Sequence, residues 1–214
     1  MSNIVHVYLD LAVNNRAVGR LGIRLYRDLF PEGVENFARI CQGDTMQQIP
    51  TGHQDTAIWK TTRRSYDGCV CYQSQHDGYL LTGDIYANNG SDAGTIYNDQ
   101  PIRMPEDAER YIPHDIAGLI SLVPKTRPDP NSAEPLQYDS TFLITLAPPE
   151  PAVQERLDRT QVVIGYVTQG HAVLEAINQE LAPRRSRAHA RCTIAIQESG
   201  IVPPIKNVYK KPRR

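Results

Sequence analysis

The 214-residue chain has no apolar run approaching the roughly 18 residues that a membrane-spanning helix needs, which excludes that class of protein. Its opening, MSNIVHVYLD, lacks a basic region followed by a long apolar stretch, so no secretory leader is expected. An intracellular setting follows as the expectation: cytoplasm, nucleus, or a cytoplasmic or viral assembly. Cysteine is scarce, at four residues, Cys41, Cys69, Cys71 and Cys192. Inside a cell such thiols stay reduced, so a disulfide framework is not expected. Cys69-Val70-Cys71 is a C-x-C and not the C-x-x-C of zinc ribbons. His53 and His76 flank it, but a second ligand pair at zinc spacing is missing, and no metal is expected. Internal repeats are also lacking.

Apolar residues at 40% and charged residues at 22% are ordinary for a globular domain and exclude a disordered or coiled-coil chain. The formal net charge of −1 hides a division. Residues 184–214 hold nine Lys/Arg against Glu198 alone, a net +8, which leaves a net −9 on residues 1–183. An acidic body ends in a basic segment.

Hydropathy alternates over Ile4 to Ala12, with Val5, Val7, Leu9 and Leu11 on one face of a half-buried strand. Asn14-Asn15 supplies turn chemistry and Gly19–Leu25 resumes the alternation, so a hairpin is expected. Val34, Phe37, Ala38 and Cys41 then recur at helical spacing up to Gly43, a C-terminal stop. Residues 44–65 show no sustained period and read as a long surface loop, in which the single tryptophan, Trp59, implies some packing or binding. Short strands are expected at Cys69–Gln73, Tyr79–Ile85, Gly118–Val123, Thr141–Leu146, Val162–Val167 and Cys192–Gln197. A second helix fits Ala172–Glu180. Many strands and two helices predict a one-domain sandwich or barrel.

These segments resemble the cyclophilins, peptidyl-prolyl isomerases built as a closed eight-stranded antiparallel β-barrel capped by two helices. The resemblance begins at VYLDLAVNNRAVGRLGIRLYRDLFPEGVENFARIC, residues 7–41. It continues at Tyr66-Asp67-Gly68, Thr82-Gly83-Asp84, Asn89-Gly90 and Gly94-Thr95-Ile96-Tyr97. Gly118-Leu119-Ile120-Ser121-Leu122, Ser140-Thr141-Phe142-Leu143-Ile144-Thr145 and Leu157-Asp158 with Val162-Val163-Ile164-Gly165 follow in the family's order. The resemblance implies a cyclophilin-like domain over 1–201, with insertions at 44–65 and 124–135, and a basic arm over 202–214. It implies no cofactor.

Turning an Xaa-Pro bond means crossing an amide-resonance barrier of about 18–20 kcal/mol. A donor aimed at the prolyl nitrogen weakens that resonance, and an apolar pocket holds the ring. A guanidinium suits the first task and aromatic or Met side chains suit the second. Matched motif by motif, the family's Arg becomes Gln73, its pocket Phe Gly78, its Met Tyr79 and its backbone-holding Gln Leu81. A one-residue shift would instead put Ser74 at the Arg position and Tyr79 at the pocket Phe, without restoring an arginine. The peptide-holding segment begins at Val123, the "S-Q-F-F" strand becomes Ser140-Thr141-Phe142-Leu143, and Trp and His give way to Arg156 and Gln161. Arg63 and Arg64 lie in the loop 44–65, and no pattern positions them at the groove.

Two function classes follow: a degenerate cyclophilin that binds proteins as a subunit of a larger assembly, and an active or weakly active isomerase that assists folding. Donor and aromatic groups are replaced together, which favours the first. The insertions either cover the groove or are tolerated surface loops. The arm, with Lys206, Tyr209, Lys210, Lys211, Arg213 and Arg214, is read as an extended peptide docking on a protein neighbour, as a phosphate binder or as a solvated tail. The acidic body disfavours nucleic acid, and no membrane partner is expected.

Overall fold

The computed structural model describes residues 4–51, 58–104, 112–126, 135–182 and 192–203, and of residues 48–51 and 58–60 the backbone only. The arm from residue 204 onward, His53, and residues 127–134 of the Pro-rich insertion lie outside the described residues.

Strands β1 (Ile4–Val13) and β2 (Arg16–Tyr26) form the expected hairpin, with Val13 opposite Arg16 across a two-residue turn. Asn14 and Asn15 both take positive φ, 50° and 63°, the conformation that a twisted two-residue hairpin demands and that Asn tolerates. Helix α1 (Pro31–Gln42) starts with proline in its first turn, where no N–H is missed, and stops at Gly43. Gly43 is left-handed, with φ 62°, and its N–H donates to the Arg39 and Ile40 carbonyls.

Residues 44–65 are not a loop. They form an antiparallel ribbon of β3 (Thr45–Thr51) and β4 (Ile58–Arg64), with Thr45 opposite Arg64. The expectation failed because the ribbon pairs mostly polar residues, so its sequence shows no alternation of hydropathy. The chain continues through β5 (Gln73–Ser74), β6 (Tyr79–Thr82), β7 (Ile102–Arg103), β8 (Leu119–Pro124) and β9 (Gln137–Thr145). It ends with α2 (Pro151–Asp158), β10 (Val162–Gln169), α3 (His171–Leu181) and β11 (Ile194–Ile201). Helix α2 was not foreseen, which makes three helices among the described residues and not two. Of its side chains only Leu157 is buried, too weak a periodicity to read.

One curled antiparallel sheet runs β11-β1-β2-β10-β8-β9-β6-β5, with β7 on β9. Its ends meet without a full ladder. A single bridge, Val70 to Ala195, joins them, flanked by bonds from Cys71 N to Ile194 O and from Ile196 N to Cys69 O, each 2.8 Å. The expected ring of strands is therefore a curled sheet with a narrow seam.

Alternation in β1 and β2 points Val7, Leu9, Leu11, Leu21, Ile23 and Leu25 inward against α1 and α3. Phe37 of α1, Tyr66 and Phe142 of β9 pack with ring centroids 4.8–5.0 Å apart, two of the three contacts edge to face. Such a cluster ties the helix to the sheet, and truncating one ring would cost about 3–5 kcal/mol. Gly83, at φ 97°, lies where a Cβ would come within 2.3 Å of the Ser140 carbonyl, so only glycine lets β6 pass β9 there. Among the described residues no helix is long and apolar enough to cross a membrane.

Candidate binding groove

The pairing of β6, β9 and β8 decides which side chains face outward. Leu81 lies opposite Leu143, and Phe142 lies opposite Thr82 on one side and Leu122 on the other. Side chains alternate along a strand, so Tyr79, Leu81 and Leu143 share one face while Leu80, Phe142 and Leu122 share the core face. The outward set, with Val123 and Pro124 of β8, lines a cavity of about 360 Å³. Helix α2 and the turn after it supply the facing wall: Arg156, Leu157, Thr160 and Gln161. Tyr79, Leu143 and Leu157 are buried there as a small cluster of their own, with Leu81, Val123 and Val153 packed against it.

Six of the residues singled out in the sequence therefore converge: Tyr79, Leu81, Val123, Leu143, Arg156 and Gln161. Phe142 does not. It is fully buried in the aromatic core because its parity is opposite to that of Leu143. Gly78 is not in the wall either; its carbonyl accepts from Leu146 N and a Cβ there would press on Gln75. Thr141 lines a neighbouring cavity of about 170 Å³ with Lys125, Asp139 and Gly90. Leu157 and Thr160 escaped the sequence reading, although Leu157 stands in the Leu157-Asp158 motif. The arm residues Lys206, Tyr209, Lys210, Lys211, Arg213 and Arg214 lie outside the described residues.

Gln73, at the position of the family's arginine, sits exposed on β5, and its Nε2 donates to Tyr79 Oη at 2.9 Å. Its donor is thus neutral, with one of its two N–H groups engaged, where a prolyl nitrogen would need a charged one. Arg63 and Arg64 do not replace it. Arg63 donates to the Gln42 carbonyl, and Arg64 is held by the Met46 carbonyl, Tyr86 and Asp99 on the ribbon side. The guanidinium that lines the cavity is that of Arg156, exposed on α2. Gln161 Oε1 is buried with no hydrogen-bond partner among the described residues. The groove can take up an apolar side chain. The cation in its lining is the exposed Arg156 on α2, not a guanidinium at the family's arginine position.

Behind this wall, Asp158 Oδ1 meets His114 Nδ1 at 2.7 Å, and His114 Nε2 meets Ser121 Oγ at 2.8 Å. The connectivity is that of a hydrolytic triad, but His114 and Ser121 are both fully buried, so no substrate reaches the hydroxyl. The imidazole instead pins the end of α2 to β8. Asp158 also accepts from His114 N at 2.8 Å, which fixes Nδ1–H toward the carboxylate and leaves Nε2 to accept from Ser121. Burial pushes the His114 pKa down to about 4, against the opposing influence of Asp115. The imidazole is neutral near pH 7. No spacing in the sequence marked it.

The family described as cyclophilin type peptidyl-prolyl cis-trans isomerase/CLD matches residues 8–199. A structural PPIase-like protein of Acanthamoeba polyphaga mimivirus is 42% identical over 189 residues, which cover 88% of this chain and 79% of that protein. A Bos taurus protein named probable inactive peptidyl-prolyl cis-trans isomerase-like 6 is 27% identical over 188 residues, 88% of this chain and 52% of its own length. The crystal structure of the mimivirus cyclophilin is similar at a TM-score of 0.73 and 39% identity, covering 94% of this chain and 90% of that one.

Proposed function

The chain belongs to the cyclophilin-type peptidyl-prolyl cis-trans isomerase family, and from that premise we propose that it has lost the isomerase activity and serves as a protein-binding, structural subunit of a larger assembly. The observation that carries this reading is the Gln73–Tyr79 hydrogen bond. Where the family carries a cationic donor, this chain has a neutral amide tied to a tyrosine oxygen. Leu81 and Leu143 replace a backbone-holding amide and a pocket ring at the same wall. Apolar contact survives these changes and charge-assisted donation does not, so affinity for an extended segment outlasts transition-state stabilisation. The names of two relatives, structural PPIase-like and probable inactive, agree with the proposal.

Protein segments are the proposed ligands, at the groove and at the basic end 202–214, in an intracellular setting. Nucleic acid is disfavoured by the net −9 of residues 1–183. A weakly active isomerase is the second reading, favoured by the retained apolar cavity of about 360 Å³. Exchange NMR on an Xaa-Pro peptide with the purified chain separates the two. No exchange cross-peaks beyond the spontaneous rate are expected at catalytic protein concentration. Their appearance would establish turnover and refute the loss of activity. Removal of residues 202–214 is expected to release a co-purifying protein partner, and full retention would take the arm out of the proposal.

A further inference from the structure

The seam of the sheet carries two cysteines on one face. Cys71 N donates to Ile194 O, so Cys71 lies opposite Ile194, and Cys192 lies two residues before Ile194. In an antiparallel pair this is the diagonal same-face relation, with Cα atoms about 7–8 Å apart and side chains closer. Both residues are partly exposed, both pack against the main core, and both line the same cavity of about 690 Å³ beside Gln73, Ser74 and Leu181. Burial, with the nearby Cys192 charge adding to it, pushes the Cys71 thiol up to about 12, so Cys192 is the first of the pair to act as a nucleophile and Cys71 the second. The other two cysteines are placed differently. Cys41 and Cys69 are buried, and the Cys69 thiol points to the Asp84 and Ser65 carbonyls.

We propose that Cys71 and Cys192 are a thiol–disulfide site: a small disulfide such as oxidised glutathione converts the pair into a reversible cross-link that fastens the seam. The Cys192 thiolate attacks the glutathione disulfide and expels a first glutathione thiolate, which leaves a mixed disulfide. The Cys71 thiol loses its proton, attacks the Cys192 sulfur of that mixed disulfide and expels the second glutathione. Two protein thiols are oxidised and one glutathione disulfide is reduced to two thiols. Closure needs the Cα atoms at about 4.4–6.8 Å, a shift of about 1 Å. That shift falls at Cys192-Thr193, just before β11 begins, where the chain is held by Thr193 O accepting from Asn14 N and Thr193 N donating to Asn14 Oδ1. The seam has one bridge, so a covalent link between the segment 69–71 and the residues leading into β11 supplies the closure that a ladder supplies elsewhere. This inference does not depend on whether the groove is catalytic.

The test is peptide mapping of the full chain after native-state incubation with oxidised glutathione and alkylation of the remaining thiols. The expected product has lost about 2 Da, contains one cross-linked peptide joining Cys71 to Cys192, and reverts with a thiol reductant. Its Tm is expected several degrees above that of the reduced chain. Cys71→Ser should stop the reaction at a glutathione adduct on Cys192. Should that variant fail to fold, the same oxidation in denaturant is the control, and there the pairing should scramble among all four cysteines. A native wild-type chain that ends as a stable glutathione adduct, stays fully alkylatable or cross-links another pair would overturn the proposal.

Discussion

The Asp84 carboxylate is fully buried and accepts from six backbone N–H groups: Tyr86 and Ala87 on one oxygen, and Asn89, Gly90, Ser91 and Asp92 on the other. Burial by itself would raise its pKa, but the backbone donors outweigh it and hold the group below the ordinary carboxylate value. Asp84→Asn keeps the shape and turns one acceptor into a donor facing N–H groups. A loss on the order of 3 kcal/mol in denaturant unfolding is expected, and a loss under about 0.5 kcal/mol would show that the loop does not depend on the charge. His114 gives the complementary pH effect. Its folded pKa of about 4 lies below the ordinary 6.5, so between these values the unfolded chain binds a proton that the native chain refuses. Stability from this group is full above pH 6.5 and falls as pH drops toward 4, by up to about 3 kcal/mol. Unfolding free energies measured at pH 7.5 and 4.5 are expected to differ more for the wild type than for His114→Gln. Equal differences would remove the imidazole from the acid response.

Among the elements, the β3–β4 ribbon is fastened to the body chiefly through Arg64, with Arg63 and Gln47 as lesser ties. A two-stranded ribbon alone is marginal in water, and this one is tied to the body by Arg64. The Arg64 guanidinium, with 6% of the side chain exposed, bonds Met46 O at 2.9 Å, Tyr86 Oη at 3.2 Å and Asp99 Oδ2 at 3.2 Å. Tyr86 Oη in turn contacts Asp99 and Gln47. Arg64→Lys keeps the charge and loses the planar fork. Amide exchange in the ribbon is expected to speed up at least tenfold, about 1.4 kcal/mol, while β1 and β2 amides stay protected. Uniform acceleration would mean that Arg64 holds the whole domain and not this element. The ribbon also shows where the sequence stopped being legible. Hydropathy marked β1, β2, α1 and α3 because each buries one face, and that same periodicity is missing from a ribbon that pairs polar residues. Helix α2 was hidden because Leu157 alone of its side chains is buried, and because it starts at a proline, Pro151. Six groove residues were legible through motif order, and Phe142 was misplaced because motif order says nothing of parity. Strict alternation from Leu143 would have sent it inward.

Across the whole molecule, the fold and the groove have separate requirements. The core uses the inward faces of β1, β2, β8, β9 and β10 with α1 and α3, and none of the changed positions Gln73, Leu81 or Leu143 belongs to that cluster. Substitution at the groove can therefore abolish chemistry while leaving the barrel intact, which is why membership of the family does not by itself decide activity. The separation can be run in reverse. Gln73→Arg alone restores the charge but leaves no amide to hold the peptide and a leucine, Leu143, where the family's strand has its second Phe, so turnover is expected to stay at the spontaneous rate. The triple variant Gln73→Arg, Leu81→Gln, Leu143→Phe supplies donor, holder and ring together. Leu143 borders the cavity of about 360 Å³, into which a larger ring can grow, and Gln73 is exposed, so Tm is expected to change by only a few degrees. Exchange on an Xaa-Pro peptide is expected to rise at least tenfold in the triple variant, about 1.4 kcal/mol of barrier. Strong turnover from Gln73→Arg alone would show a groove complete but for its cation. A folded triple variant without turnover would locate the lesion in Val123 or in the wall that α2 contributes.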